Sequence, residues 1–345
     1  IARHLVASEG QALRNEPADG IFKQRAEEEI FNDIKKTLRR LGTEFDVFYN
    51  EHTLYETGKV QEVVDELRRL GYAYDHDGAV WFRATSFQGE KDKVIIKSSG
   101  EPTYRLPDIA YHREKFRRGF NLVVDVLGAD HIATYPDVLA GLKALGFDPE
   151  NVKVLIHQFV TIVRNGEVVK MSTRKANFVT LDELIDEVGA DVVRYFFLMR
   201  SHTSHLNFDL RLAKEQSEEN PVFYLQYAHA RIASILKYAE SAAVTTRGVE
   251  AIPLELLTES ESIATLKKLS EFPDLVESCA LSFEPHRLTE YFHDVAGLFH
   301  KFYHLYRVVT DDKDLTCARL ALCQATKIVL ANGFAILGIS APEKM

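Results

Sequence analysis

The feature that most constrains this chain is a change of hydrophobic period at Asn220-Pro221. Before that point, short apolar runs of strand length alternate with segments repeating every three or four residues, whereas beyond it only the helical period survives. An Asn followed by Pro reads as an N-cap and a first helical position, so the dipeptide opens a helix. The chain must therefore build an α/β body first and an all-helical body second. The clearest helical segment is Pro285 to Val308, where Leu288, Tyr291, Phe292, Val295, Leu298, Phe299, Phe302 and Leu305 step by three and four. At 345 residues the length gives a prior of about two domains.

Upstream, Ile30, Ile34, Leu38 and Leu41 precede Gly42 at helical spacing, and Val60 to Leu70 repeats the pattern before Gly71. Tyr72 to Tyr74 and Ala79 to Phe82 flank an Asp-His-Asp-Gly turn and predict a hairpin. Lys93 to Lys97 predicts a strand, and Pro107 suits the first turn of a helix running to Arg117. From Asn121 the pattern changes. Leu122 to Leu127 is a nearly continuous apolar run stopping at Gly128, as in a central parallel strand. A helix from Pro136 to Leu145 and a strand from Val152 to Val163 follow, then Asn165-Gly166 as a tight hairpin turn. Thr180 and Glu183 form a capping box for a helix ending at Gly189, and Asp191 opens another.

Composition removes several classes. With 46% hydrophobic and 27% charged residues the chain is neither disordered nor collagen-like. The net charge of −9 argues against a broad phosphate-gripping surface, although positive charge is concentrated locally: residues 91–118 hold eight Lys/Arg against four Asp/Glu. Three cysteines, Cys279, Cys317 and Cys323, make neither a disulfide framework nor a CxxC site, which fits a reducing cytoplasmic compartment. The apolar stretch from Ile328 to Ile339 falls short of the roughly 20 residues that span a bilayer, so no membrane partner is expected.

Four local patterns carry potential chemistry. Lys170-Met171-Ser172-Thr173-Arg174-Lys175 sets three cations on a loop, able to close over a polyphosphate, although a solvated basic turn is the commoner meaning of such a cluster. Asp108 sits in a helix first turn, where unpaired N–H groups favour a carboxylate, and Tyr104 stands one turn earlier. Gly128-Ala129-Asp130-His131 ends the buried strand at a position where open α/β sheets place ligands. Tyr224, Tyr227 and Arg231 share one face of the first C-terminal helix, a spacing that serves core packing or base stacking. His300 and His304 share a face without a supporting ligand, so no metal site, zinc included, is expected.

Taken together, the strings resemble arginyl-tRNA synthetases of class I. The basic loop resembles the KMSKS signature, and NFVTLDELIDEVGADVVRYFFLMRS around it is similar to that family in particular. So are SSGEPTYRLPDIAYHREKF, VVDVLGADH, SHLNFDLRLAKEQSEENPVFYLQYAHARI and the terminal GISAPEKM. The resemblance implies part of a Rossmann-type catalytic domain over 1–218, with an α+β insertion near 20–120 and the second half of the nucleotide fold over 121–200. An α-helical anticodon-binding bundle of the DALR type follows over 219–345. It implies ATP, as its Mg²⁺ complex, L-arginine and tRNA(Arg) as partners of a monomer. Lys170, Ser172 and Arg174 would stabilise the leaving pyrophosphate, with Gly128, Asp130, His131 and Met171 also at the nucleotide. Tyr104 and Asp108 would hold arginine, the carboxylate facing the guanidinium. Tyr224, Gln226, Tyr227, Arg231 and Met345 would meet the tRNA.

Two departures bear on these roles. Thr173 replaces the second lysine of KMSKS, leaving Arg174 or Lys175 to carry that charge, and Ile132-Ala133 follow His131 where the family often has a histidine and a glycine. No HxGH string occurs, so the resemblance leads to the expectation that the chain begins downstream of that motif and activates arginine poorly alone. A cysteinyl-type enzyme is the first rival, disfavoured because all three cysteines lie beyond residue 270. A non-catalytic tRNA-binding remnant is the second.

Overall fold

The computed structural model describes residues 20–169, 179–242 and 251–345, with positions 3, 7, 10 and 17 before them. They form two compact units, the first comprising 1–44, 161–201 and 206–345 and the second 45–160 with 202–205.

The second unit opens with helices α2 (His52–Glu56) and α3 (Lys59–Arg69), following α1 (Ile21–Arg40) of the first unit. Strands β1 (Ala73–His76), β2 (Ala79–Phe82) and β3 (Lys93–Ile96) then make an antiparallel sheet in the order β1-β2-β3. The first hairpin turns at Asp77 and Gly78, both at positive φ (50° and 73°), the geometry that a two-residue turn between twisted strands demands. Helix α4 (Arg105–Arg117) packs on this sheet and on α3 around Leu54, Val63, Val64, Leu67, Phe82, Ile95, Leu106 and Ile109, all essentially inaccessible. Arg113 is buried too, but ion-paired to Glu62 and Glu66 of α3, so its charge is not left uncompensated.

Strand β4 (Val123–Gly128) and strand β5 (Val152–His157) are parallel, joined through helix α5 (Tyr135–Ala144), with Val123 opposite Val152 and Gly128 opposite His157. Helix α5 lies close on α4: a Cβ on Gly141 would stand 2.3 Å from Ile109 Cδ1, so glycine is required at that crossing. The apolar segment from Val152 to Val163 is two strands rather than one. It breaks at Gln158-Phe159, where Gln158 N–H donates to His202 O at 2.9 Å, and resumes as β6 (Val160–Arg164).

In the first unit β6 pairs with β7 (Glu167–Val168) across Asn165-Gly166, both at positive φ, and a sheet of order β7-β6-β8 is completed by β8 (Leu206–Asp209). Helix α6 (Leu181–Val188) starts with the reciprocal Thr180–Glu183 capping box and is followed by α7 (Ala190–Leu198) and the short α8 (Leu210–Lys214). Asn220 caps α9 (Pro221–Ser241) by accepting from Val222 N–H. The remaining elements are helical: α10 (Ser260–Ser270), α11 (Phe272–Ser282), α12 (His286–Leu305) and α13 (Lys313–Leu337). Helix α13 is long and apolar enough, by length and composition, to cross a membrane. Within the bundle its Leu320, Leu322, Leu330, Phe334 and Leu337 are buried, so a packed core accounts for that composition. Thus an α/β sheet region precedes a wholly helical one.

Candidate functional site

The charged site of the second unit grows from the first turn of α4 and the end of β4. Tyr104 stands at the helix start, 89% exposed, its side chain in solvent. Asp108 lies one turn on. The protein around its carboxyl pushes it above the ordinary aspartate range, an effect that the charge of Glu51 reinforces, while His112, His131 and Lys115 pull in the opposite direction. Asp108 and His131, from separate sequence patterns, are thereby within electrostatic reach of each other.

Glu51, at the N-terminal edge of α2, escaped the sequence reading, as did its neighbour Tyr55, whose phenol is pushed up by burial and by Glu51. Neither belongs to a motif, and only the packing of α2 against α4 brings them to Asp108. Asp125 also escaped, although its signal was legible: it is the one charge in the apolar run of β4. Its carboxyl accepts from Lys115 Nζ at 2.7 Å and meets His112 Nε2 at 2.5 Å. Those two groups hold it down to about 2 despite burial, the largest opposing influence.

Beyond β4 the chain makes a single turn, Ala129–His131, exposing Asp130 and His131 to solvent 3.8 Å apart. Gly128 is confined by that turn, since a Cβ there would stand 2.6 Å from Asp130 Oδ1. Lys170, Met171, Ser172 and Arg174 lie outside the described residues. Among the described residues no group of three His, Cys, Asp or Glu side chains is arranged to hold a metal ion.

The first unit holds the other sequence-predicted set. A cavity of about 940 Å³ opens between α9 and α12, lined among others by Tyr227, Arg231, His300 and Tyr303. The Arg231 guanidinium lies over both the Tyr227 and Tyr303 rings, at 5.0 and 5.2 Å, and donates to the Tyr227 hydroxyl. His300 stacks on Tyr227 at 5.8 Å and meets Tyr224 at 4.7 Å. Burial lowers its pKa, and its Nε2 is buried with no hydrogen-bond partner among the described residues. Leu225 and Ala228 are fully buried as the helical spacing implies, but neither Tyr224 nor Tyr227 is freely exposed, because α12 packs its histidines against both rings. Gln226 is occupied: its amide donates to Asp191 Oδ2 at 2.8 Å and to the Ser340 carbonyl at 3.1 Å. Through these bonds, and through His229 Nδ1 at 2.8 Å from Pro342 O, the C-terminal tail is fixed to α9 while Met345 stays exposed.

A family model for the catalytic domain of class I tRNA synthetases of the arginine type matches residues 11–196, just over half of the chain, and a DALR anticodon-binding domain model matches 225–345. Among curated proteins, the arginine–tRNA ligases of Desulfotalea psychrophila and Salinibacter ruber are 53% and 51% identical over the whole chain. The chain spans 62% and 61% of their lengths. The solved structure of Thermus thermophilus arginyl-tRNA synthetase superposes with a TM-score of 0.77 at 20% identity, covering 98% of this chain and 68% of that one, which speaks to the fold. Over both its α/β and helical regions, then, this chain belongs to the class I arginyl-tRNA synthetase family.

Proposed function

We propose that the protein is an arginine–tRNA ligase, which joins L-arginine to ATP as arginyl-adenylate and passes the arginyl group to the terminal ribose of tRNA(Arg). The observation that carries the reading is the proximity of Glu51 to Asp108, near enough for its charge to raise the Asp108 carboxyl. Two carboxylates on neighbouring helices offer a guanidinium the acidic, partly desolvated surface that its planar donors require, and an ammonium would use that surface poorly. Tyr104, one turn earlier, supplies an exposed phenol beside the same helix start.

In this reading the arginine carboxylate attacks the α-phosphorus of ATP, which enters as its Mg²⁺ complex, and pyrophosphate leaves. Negative charge accumulates on the leaving group, and Lys170, Ser172 and Arg174 are assigned to neutralise it, with Arg174 replacing the lysine absent at Thr173. Gly128, Asp130 and His131, at the carboxyl end of a parallel strand, are assigned to the adenosine, at the position where open α/β sheets bind nucleotides. The α9–α12 cleft is assigned to tRNA bases: Tyr227 and Tyr303 offer ring faces and Arg231 a planar cation. Gln226, already bonded within the protein, is assigned to holding the tail that carries Met345 rather than to direct RNA contact.

The test is arginine-dependent ATP–pyrophosphate exchange, with tRNA(Arg), in a polypeptide carrying this chain and spanning the relatives' length. Exchange with arginine but not with lysine or citrulline is expected. Equal exchange with all three would refute the reading. The same assay on the 345-residue chain measures the expectation that it activates arginine poorly by itself.

A further inference from the structure

The turn assigned to the adenosine has no core of its own, since Asp130, His131, Ile132 and Ala133 are all exposed. The first buried residue beyond it is a carboxylate. Asp137, in the opening turn of α5, is 7% exposed, and its Oδ2 accepts from Arg105 Nε at 2.6 Å with Lys93 Nζ at 3.5 Å. Arg105 stands next to Tyr104 at the start of α4. Backbone bonds lead from the turn to that carboxylate: Thr134 N–H and Thr134 Oγ1 each donate to the His131 carbonyl at 3.0 Å, and Asp137 N–H donates to the Thr134 carbonyl at 3.2 Å.

A second contact lies one turn further along both helices, where Ile109 of α4 meets Gly141 of α5. Arg105 and Ile109 are four residues apart, as are Asp137 and Gly141, so the helices run side by side in the same direction. Their first turns therefore open toward the same side, one carrying Tyr104 and Asp108, the other following Gly128 to His131. The Ile109–Gly141 contact is apolar and sets how closely the helices approach, but by itself it tolerates sliding. An ion pair is directional, and a carboxylate taken out of water is costly unless its partner stays in place, so the Arg105–Asp137 pair fixes the axial register.

We propose that Arg105 and Asp137 are positioning residues, whose ion pair sets the register of α4 against α5 and thereby holds bound arginine and bound ATP where the arginine carboxylate meets the α-phosphorus. The inference rests on the arginine reading above and deepens it. Neither residue need touch a substrate. Reacting atoms must come within about 3.5 Å, and a misplacement of about 1 Å costs on the order of 100-fold in rate. Removing the Asp137 charge would also leave Arg105 and Lys93 as two cations facing one vacated point, which drives the helix starts apart.

Two measurements test this. In the 345-residue chain with nitrogen-labelled arginine, the Arg105 Nε–H resonance, assigned by through-bond correlation to its own backbone, should exchange slowly with solvent near neutral pH. Fast exchange would show that the pair is not held and would overturn the proposal without any variant. In the polypeptide of the relatives' length, arginine-dependent exchange is compared among the wild type, Asp137→Asn, Arg105→Asp, Asp137→Arg and the reversed pair carrying the last two together. Each single change should lower kcat about ten-fold or more, while the KM values for arginine and ATP stay within about two-fold, as for substrates that bind but are misaligned. The reversed pair keeps two cations and one carboxylate at the contact and should recover most of the lost kcat, well beyond what the single changes predict by addition. A merely structural role would lower the melting temperature and leave the kcat of the folded molecules intact. That result, a rise in either KM in place of the fall in kcat, or a reversed pair no better than the single changes combined would each sink the proposal. A wild type without arginine-dependent exchange would instead remove the arginine reading, and this role with it.

Discussion

Around Asp108 the chain gathers formal charges, whereas along α9 and α12 it gathers rings. The first surface draws Glu51, His112, Lys115, Asp125 and His131 from two helices, a strand and a turn, and most of the buried partners are bonded to one another. The second sets Tyr227, Tyr303 and His300 about a cavity with one guanidinium, in a stretch after residue 216 that carries 12 Lys/Arg and 17 Asp/Glu. Recognition by charge needs positions fixed to fractions of an ångström and an environment that sets each ionisation, so the surrounding unit uses paired ions. Recognition by stacking is tolerant of angle and sequence and draws on apolar area, so a net-acidic helical bundle suffices. The overall charge of −9 therefore says little about either surface.

The sharpest way to break that contrast is to damage one unit and read the other. Phe292 of α12 is fully buried and sits so close to α13 that a Cβ on Gly333 would lie 1.7 Å from its ring. Phe292→Ala should cost about 3–5 kcal/mol of bundle stability, seen in calorimetry as one displaced transition, with the KM for arginine unchanged. Loss of arginine affinity in step with bundle stability would mean that the two surfaces are not independent. Asp108→Ala should do the reverse. It removes a charge-assisted, paired acceptor worth about 3 kcal/mol and raises the arginine requirement on the order of 100-fold, while leaving tRNA affinity intact.

Acid separates the regions by a smaller amount. The folded-state pKa of Asp125 lies below its value of 3.8 in a free chain, at about 2. Its contribution is therefore present above 3.8 and is lost as pH falls through 2. The difference amounts to about 2 kcal/mol, and it should appear as an acid destabilisation of the unit holding β4, absent from Asp125→Asn. Below that in size comes Tyr227→Ala, with an expected loss of about 1–2 kcal/mol in tRNA binding by filter or fluorescence titration, because the ring is shared between His300, Arg231 and any incoming base.

How far these sites were legible in the sequence depended on whether a residue's role is local. The capping box at Thr180, the Asn220 N-cap and the Asn165-Gly166 turn are decided by a few neighbouring residues, and all three form as the sequence predicts. Asp108 and His131 stood out through motifs, but Glu51 could not, since its relation to Asp108 arises only when α2 folds against α4 across more than fifty residues. Gln226 entered only through the family resemblance, and nothing in the sequence could reveal that Ser340 and Asp191 claim its amide. The run from Val152 to Val163 misled for a similar reason: its apolar residues continue through the point where the backbone turns to bond His202. Asp125 is the instructive omission. A carboxylate whose side chain is only 12% exposed is costly unless paired, and α4 supplies the partners, Lys115 and His112.

Arg231 gives the smallest and most discriminating effect. Its guanidinium spreads over two tyrosine rings and bonds a phenol, an arrangement that keeps it planar and available to a base face. If the cleft reads bases by stacking, Arg231→Gln should lower tRNA affinity by under about 1 kcal/mol and leave the slope of binding against salt almost unaltered, because no phosphate is released from the pairing. If Arg231 instead grips a phosphate, the slope should fall by roughly 0.7 for a single-stranded loop, with the affinity loss growing as salt is lowered. Binding measured across a range of potassium chloride concentrations separates these outcomes. The second would make the bundle a charge-reading surface like the one around Asp108, and would remove the physical distinction between them.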